Sequence, residues 1–257
     1  MIHDPRPIAP MNPEGLDDIA KALLDEPSTH SPISQSAVFS LEDVTDFWRI
    51  NGVSYRNGIY QVEVSKTLIP SGTQDQHAQR RKEALPHDRF YTPDFPLFHG
   101  IIDTLHQNRE GPCKDKIGAA RKYLSDLVNG KWLMTLTRIR YAPNGQDLVI
   151  HNYGQDDTYE TPSNFVGPDG FIAKPETNAG AAPQALLGTQ QSLQEINHVY
   201  RWFRNTDAYI WRINSIPKSV YEGIARFYAD SGWAYLDCGE GPRGSDASLG
   251  VRARKIG

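Results

Sequence analysis

The sequence predicts an α+β protein in which helices pack on short, mostly antiparallel sheets. Two kinds of periodicity alternate along its 257 residues. In some segments apolar residues recur every three or four positions, as on one face of a helix, and in others every second position, as on one face of a strand. One pair of strand-like segments is joined by a short Pro-Asn-Gly turn, which favours an antiparallel hairpin.

The composition is that of an ordinary globular protein. The 27 basic and 31 acidic residues give a net charge of −4 and form no long block of one sign, which argues against a nucleic-acid or anionic-membrane partner. Cys113 and Cys238 lie too far apart in sequence for a disulfide framework or a metal motif, and we expect both to be reduced core residues. No metal site or cofactor is expected.

No stretch of 18 apolar residues and no signal-peptide core is present, so the default expectation is a soluble cytoplasmic protein without a membrane span. Display on a cell surface or a virus particle stays open. Residues 1–37 are rich in Pro and Ser and are predicted to form a mobile arm. Within it, "GLDDIAKALLDE" has the spacing of a short amphipathic helix. Residues 38–257 are predicted to form a single domain.

Three predictions cover the first part of this domain. "SLEDVTDFWRING" is expected to be a helix, because Ser40 and Asp43 fit a capping box and Gly52 fits a helix end. "GIYQVEVSKTL" alternates and is expected to be a strand. Residues 70–96 contain four prolines and have no sustained period, which favours a long surface connection.

Two adjacent helices are predicted next. Thr92 and Pro93 fit the N-cap and first position of a helix. Its core stripe consists of Phe98, Ile101, Ile102 and Leu105. The second helix lies in "CKDKIGAARKYLSDLVNG" and is expected to end at Gly130.

A hairpin is predicted in "KWLMTLTRIRYAPNGQDLVIHNYG". Because Pro143 has no N–H to donate, a three-residue Pro143-Asn144-Gly145 turn fits better than a two-residue one. In that register Thr137 faces His151.

The remainder is predicted as a loop over residues 164–183, a helix with Ser192 and Glu195 in a capping box, and a series of short elements. That series consists of the strand "DAYIWRINS", the helix "PKSVYEGIARFYADSG", the strand "WAYLDC", an irregular run, and the strand "SLGVRARK".

His151 is the main candidate for chemistry. It precedes Tyr153 and three carboxylates, Asp156, Asp157 and Glu160, which could form an acid–base or metal site if they converge. A histidine that faces a threonine across a hairpin is more often a structural residue, so we favour that reading. The common hydrolase, zinc-protease, P-loop and dinucleotide motifs do not occur.

The strand "WAYLDC" has two different faces. Ala234, Leu236 and Cys238 are small and apolar and are expected to face the core. Trp233, Tyr235 and Asp237 suit a partly exposed recognition surface, although packing of the two aromatic rings under a helix is an equal alternative. The polar, glycine-rich run "GEGPRGSDA" is expected at the surface beside them.

Residues 212–255 resemble the C-terminus of the variable proteins encoded by diversity-generating retroelements. The matching parts are "WRINS", "ARF", "AYLDC" and "LGVRAR". Proteins of that family have a C-type-lectin-like fold of the formylglycine-generating-enzyme type. A reverse transcriptase randomises adenine positions of a template, and the residues between fixed anchors form a ligand-binding surface.

The resemblance implies a variable region at about residues 226–254. The implied ligand-binding positions are Tyr228, Gly232, Trp233, Tyr235, Asp237, Gly239, Glu240, Gly241, Arg243, Gly244, Ser245 and Asp246. Ten of them could arise from Asn or Ser codons altered at adenines, whereas Trp233 and Glu240 require other adenine-containing codons.

The function implied is ligand binding without catalysis, with a protein or other macromolecular partner that differs between variants. Two enzymatic alternatives stay open. One is a thiol-dependent oxidase of the same fold, which would use Cys113 and Cys238. The other is a hydrolase centred on His151.

Overall fold

A computed structural model describes residues 39–257 of the protein. In this range eleven strands form one mixed sheet and five α-helices accompany it, so the predicted α+β class is confirmed. The sheet is mostly antiparallel, as predicted, but it is a single large sheet and not several short ones. The predicted N-terminal arm and its amphipathic helix lie outside the described residues.

The order of strands along the sheet is β1-β2-β3-β11-β4-β9-β10-β8-β7, and β5 and β6 extend from β4 as a side branch. The pairs β8–β10 and β4–β11 are parallel. The strands are β1 (Ser40–Asp43), β2 (Phe47–Tyr55), β3 (Gly58–Gly72), β4 (Lys131–Tyr141), β5 (Asp147–His151), β6 (Tyr159–Ser163), β7 (Gly170–Phe171), β8 (Ala208–Trp211), β9 (Tyr221–Ala229), β10 (Ala234–Glu240) and β11 (Asp246–Lys255).

Five helices in this range contribute to the buried core. They are α1 (Gln74–Ala84), α2 (Phe95–Gln107), α3 (Lys114–Val128), α4 (Ala182–Leu187) and α5 (Leu193–Arg204). Of these, α2 and α5 pack on the side of the sheet that holds Phe227. Phe227 of β9 meets Phe98 of α2 with ring centroids 5.0 Å apart, and it meets Tyr200 and Phe203 of α5 at 5.8 and 6.4 Å. Because side chains alternate along a strand, the neighbours of Phe227 point to the opposite face of the sheet.

Several local predictions are confirmed. The apolar stripe of α2 is buried, and Ser192 and Glu195 form the capping box of α5. The hairpin β4–β5 has the predicted register, with Thr137 opposite His151, and Gly145 has the positive φ of +73° that its turn requires. The predicted strand at 58–68 lies within β3.

The first predicted helix is wrong, because residues 40–55 form the hairpin β1–β2. Trp48 and Ile50 are buried on alternate positions of β2, which is strand periodicity. The Ser40 hydroxyl does not cap a helix but accepts a hydrogen bond from the Asn51 side chain at 2.7 Å. Gly52, with φ +86°, lies where the β2–β3 register shifts, as in a bulge.

The predicted long connection at 70–96 is also wrong, because it contains α1. Thr73 and Gln76 form a capping box, and the larger side chains that the helix buries are polar: Gln74, His77 and Arg81. Gln74 donates to the carbonyls of Thr135 and Thr137, in the part of β4 where the register with β9 shifts. A helix that pairs polar side chains with a neighbouring strand has no apolar stripe to detect.

The start of α2 differs by two residues from the prediction. Asp94, not Thr92, is the N-cap, since its carboxylate accepts a hydrogen bond from the backbone N–H of Leu97 at 3.0 Å. Thr92 instead pairs with the ring of His77 at 2.7 Å.

The helix predicted at 217–232 is wrong as well, because this segment contains β9. The strand lies between β4 and β10, and Gly223 through Phe227 are all buried. A strand that is covered on both faces has no alternation, so its apolar pattern resembles that of a buried helix.

Candidate functional site

Seven aromatic rings lie together on the face of the sheet opposite Phe227, and we call this set the aromatic face. It extends over β4, β9, β10, β8 and β7. Its members are Trp132, Phe171, Tyr209, Trp211, Tyr228, Trp233 and Tyr235.

Tyr235 is the centre of the aromatic face. Its ring centroid lies 5.2 Å from that of Trp233, 5.3 Å from that of Tyr209 and 5.8 Å from that of Tyr228. The ring centroids of Trp211 and Trp132 lie 5.9 and 6.3 Å from that of Tyr235. These separations are those of favourable aromatic pairs, so the rings hold one another in place.

The rings are partly open to solvent. Trp211 is 45% exposed and Trp233 is 37% exposed, while the other five rings are half-buried. Ala234, Leu236 and Cys238 point the other way and are fully buried. The predicted division of "WAYLDC" is therefore confirmed for its core face, and on the outer face Trp233 is exposed while Tyr235 is half-buried.

The prediction that Asp237 is partly exposed is wrong, because its side chain is buried. Arg226 of β9 lies over it and donates to the Asp237 carboxylate at 2.7 Å. The same guanidinium donates to Glu240 at 2.9 Å and to Asp246 at 2.8 Å. Three of the predicted ligand-binding positions thus share one ion cluster at the edge of the aromatic face.

Arg226 joins this cluster to the rings, since its guanidinium carbon lies 4.3 Å from the ring centroid of Trp132. Burial opposes the charged arginine, but its hydrogen bonds to Asp246 and Asp237 raise its pKa. Burial also raises the pKa of Asp237. Because the guanidinium contacts three carboxylates within hydrogen-bond distance, the charged form of Arg226 is favoured.

Three glycines among the predicted positions have room for larger side chains. A Cβ atom at Gly232, Gly239 or Gly241 would meet its nearest neighbour at 3.7–4.0 Å, which is ordinary contact, and none of the three has a positive φ. At Gly244 a Cβ would lie 2.9 Å from Cγ of Glu240, a flexible side chain that can move. Nothing in the backbone geometry of these positions therefore requires glycine.

The other predicted positions occupy the turn between β10 and β11 and its neighbourhood. Arg243 and Ser245 are exposed, and Asp246 begins β11. Tyr228 is half-buried, and its hydroxyl donates to Asp230 at 3.1 Å. The expectation that "GEGPRGSDA" lies at the surface beside the rings is confirmed, except that its two carboxylates bind Arg226.

His151 has the surroundings of a structural residue. It is fully buried, with Nε2 3.0 Å from the Ala185 carbonyl and Nδ1 3.1 Å from the Thr137 hydroxyl. The carbonyl can only accept, so Nε2 carries the proton and Nδ1 accepts. Burial lowers the pKa of this histidine and favours its neutral form. Both nitrogens are engaged within the protein.

The two cysteines lie in different surroundings. Cys238 is fully buried on β10, and burial raises the pKa of its thiol, which disfavours the reactive thiolate. Cys113 is partly buried at the N-cap of α3, and the two thiols are not bonded to each other.

Four members of the aromatic face were not among the residues predicted from sequence. Trp132, Phe171, Tyr209 and Trp211 lie outside the segment that carries the resemblance or at its margin. The alternation in "AYIW" does place Tyr209 and Trp211 on one side of a strand. Their position beside Tyr235 depends on the parallel β8–β10 pairing, which has no local sequence signal.

Comparison of the chain with family models, with curated proteins and with solved structures found no match. None of the helices in the described part of the chain is long and apolar enough to cross a membrane. Within residues 39–257, no group of three or more His, Cys, Asp or Glu side chains is arranged to hold a metal ion.

Proposed function

We propose that the chain is a ligand-binding protein with a C-type-lectin-like fold, whose C-terminal surface is diversified by a retroelement. Its binding site is the aromatic face together with the turn between β10 and β11. Four rings from outside the diversified segment form a constant part of the site, and the positions around Tyr235 form the variable part.

The observation that carries this proposal is the separation of roles along β10. Ala234, Leu236 and Cys238 are fully buried, whereas on the other side Trp233 is exposed and Tyr235 is half-buried. A surface that accepts many side chains needs a scaffold that folds independently of them. Surface substitutions usually change the free energy of unfolding by less than about 0.5 kcal/mol, so variation is tolerable on the outer side only.

The chemistry of the face suits a macromolecular partner. Trp and Tyr rings dominate binding energy at protein interfaces, because they offer a large contact area with few rotatable bonds. Trp211 and Trp233 provide such rings with a large exposed fraction. The arginine cluster adds one cation and three carboxylates at the edge of the face, which is unfavourable for a nucleic-acid backbone.

The enzymatic alternatives have less support. A hydrolase centred on His151 would need a free ring nitrogen, and both are engaged with Thr137 and Ala185. A thiol oxidase would need an accessible pair of thiols, and Cys238 is fully buried. His151→Ala and Cys238→Ala discriminate the alternatives, because an enzyme loses turnover whereas a folded binding protein keeps its affinity.

The experiment that tests the proposal is sequencing this gene from many isolates of its source. We expect substitutions to concentrate at the twelve predicted positions and to spare Ala234, Leu236, Cys238, Leu249 and Val251. Equal variation at both sets, or variation spread evenly over the gene, contradicts diversification of the surface.

A further inference from the structure

A cavity of about 850 Å³ lies at the turn between β2 and β3, and none of the rings of the aromatic face lines it. Its walls come from that turn, from β6, from α4 with the residues after it, and from the end of β11. The volume is within the range of small-molecule sites in proteins. The diversified surface proposed above leaves this cavity without a role.

The residues lining the cavity include two cations, Arg56 and Lys255, and no carboxylate. Arg56 does pair with Asp157 at 2.9 Å, but that carboxylate is half exposed and does not line the cavity. Lys255 is exposed and forms no ion pair with the described part of the chain. The field inside the cavity therefore favours an anion, although the whole chain is acidic.

Arg56 is held in position by an unusual backbone and by two rings. Its φ of +51° is in the left-handed region, which residues with a Cβ seldom adopt. The guanidinium carbon lies 4.1 Å from the ring centroid of Tyr159 and 5.6 Å from that of Tyr55. The two rings and Asp157 together fix the guanidinium at the wall of the cavity.

From these observations we infer that the cavity binds a small organic anion, either a carboxylate or a phosphate monoester. Arg56 and Lys255 neutralise the anionic group. The side chains of Tyr60 and Tyr159 provide the apolar wall. The site is separate from the aromatic face, so it binds its ligand in every surface variant.

Calorimetric titration of the whole chain tests this inference with three probes of similar size. Benzoate and phenyl phosphate represent the two anionic classes, and benzamidine presents a similar ring with a cation. We expect saturable binding of at least one anion and none of benzamidine. Lys255→Glu should weaken the anion at least tenfold, whereas Lys116→Glu, the same charge change on an exposed residue of α3, should not.

One further variant makes the result specific to the cavity. Trp233→Ala should leave anion binding intact. The test therefore still applies if the aromatic face proves to bind no ligand. Absence of anion binding by the folded protein at millimolar concentration, or equal loss in both lysine variants, overturns the inference.

Discussion

At the scale of single residues, Arg226 shows that some side chains on the outer side of the sheet also have a structural role. Its side chain is 10% exposed and donates to Asp237, Glu240 and Asp246. All three carboxylates are at positions that the resemblance implies to be variable. A variant that loses two of these carboxylates leaves a buried cation with too few partners. We therefore expect fewer kinds of side chain at these three positions than at Gly232 or Gly241.

Arg226→Met tests the structural role of this cluster. Removing one partner of a buried ion pair costs about 3–5 kcal/mol, because the remaining charges are left buried. We expect a loss of about 3 kcal/mol in the free energy of unfolding, measured by denaturant titration. Arg243→Met, a matched change at an exposed residue, should stay within about 0.5 kcal/mol of the parent. Similar losses for both would show that the cluster does not stabilise the fold.

Asp237 also shows why sequence alone misjudges single residues. The period of two correctly separates Asp237 from Leu236 and Cys238. Its burial results from Arg226, which lies opposite it in the β9–β10 register. That pairing depends on recognising residues 221–229 as a strand, and the sequence pattern instead favours a helix there.

At the scale of elements, the correct predictions are those in which local chemistry and tertiary packing agree. The α5 helix has both a capping box and an apolar stripe, and the β4–β5 hairpin has its turn residues. The incorrect ones involve elements whose stability comes from a neighbour. Helix α1 supplies Gln74 to the carbonyls of β4, and β9 is covered on both faces, so neither has the usual amphipathic pattern.

The candidate site likewise has one part that the sequence predicts and one part that it does not. The outer positions of β10 follow from a period of two and could be predicted, as could the surface position of the run that follows. The rings of β4, β7 and β8 join them only through strand pairing between distant parts of the chain. Long-range pairing leaves little trace in a single sequence, so more than half of the aromatic face was missed.

Two glycines test the structural roles of β9 and of the turn between β10 and β11. A Cβ at Gly223 of β9 would lie 2.5 Å from the Cys238 carbonyl oxygen, whereas at Gly241 the nearest atom is 4.0 Å away. Forcing atoms into a packed interior costs about 1–3 kcal/mol. We expect Gly223→Ala to lower the thermal midpoint clearly and Gly241→Ala to leave it nearly unchanged. The reverse order would contradict the separation of scaffold from surface.

At the scale of the whole molecule, the sheet has a helix-covered side and a side that displays aromatic rings. The helix-covered side holds the large buried rings, among them Phe98, Tyr200 and Phe227. The display side lacks such a cover over Trp211 and Trp233 within residues 39–257. The large buried rings and the exposed tryptophans thus lie on opposite sides of one sheet.

Three buried histidines make the fold sensitive to acid. Burial lowers the pKa of His77, His99 and His151, so the folded state favours their neutral forms. The stability that these neutral histidines contribute is fully present above the pKa of histidine in the unfolded state, about 6.5, and is lost as the pH falls toward their pKa values in the folded state. The loss is at most about 1.4 kcal/mol per pH unit for each proton taken up.

We therefore expect the free energy of unfolding to fall between pH 7.5 and pH 5.5, as measured by denaturant titration at each pH. His151→Gln should make this dependence shallower, because one titrating group is removed. His198→Gln, at an exposed position of α5, is the control variant. Unchanged stability of the parent over this range would show that the buried histidines are not held neutral.

The measurement that tests the central claim most directly is the DNA sequence just downstream of the gene. The account predicts a near-copy of the segment that encodes residues 226–254, differing mainly where the copy has adenine, with a reverse-transcriptase gene nearby. Finding both would identify the positions around Tyr235 as a diversified binding site. A downstream region with neither the copy nor the reverse transcriptase would contradict diversification and leave the aromatic face as a fixed surface.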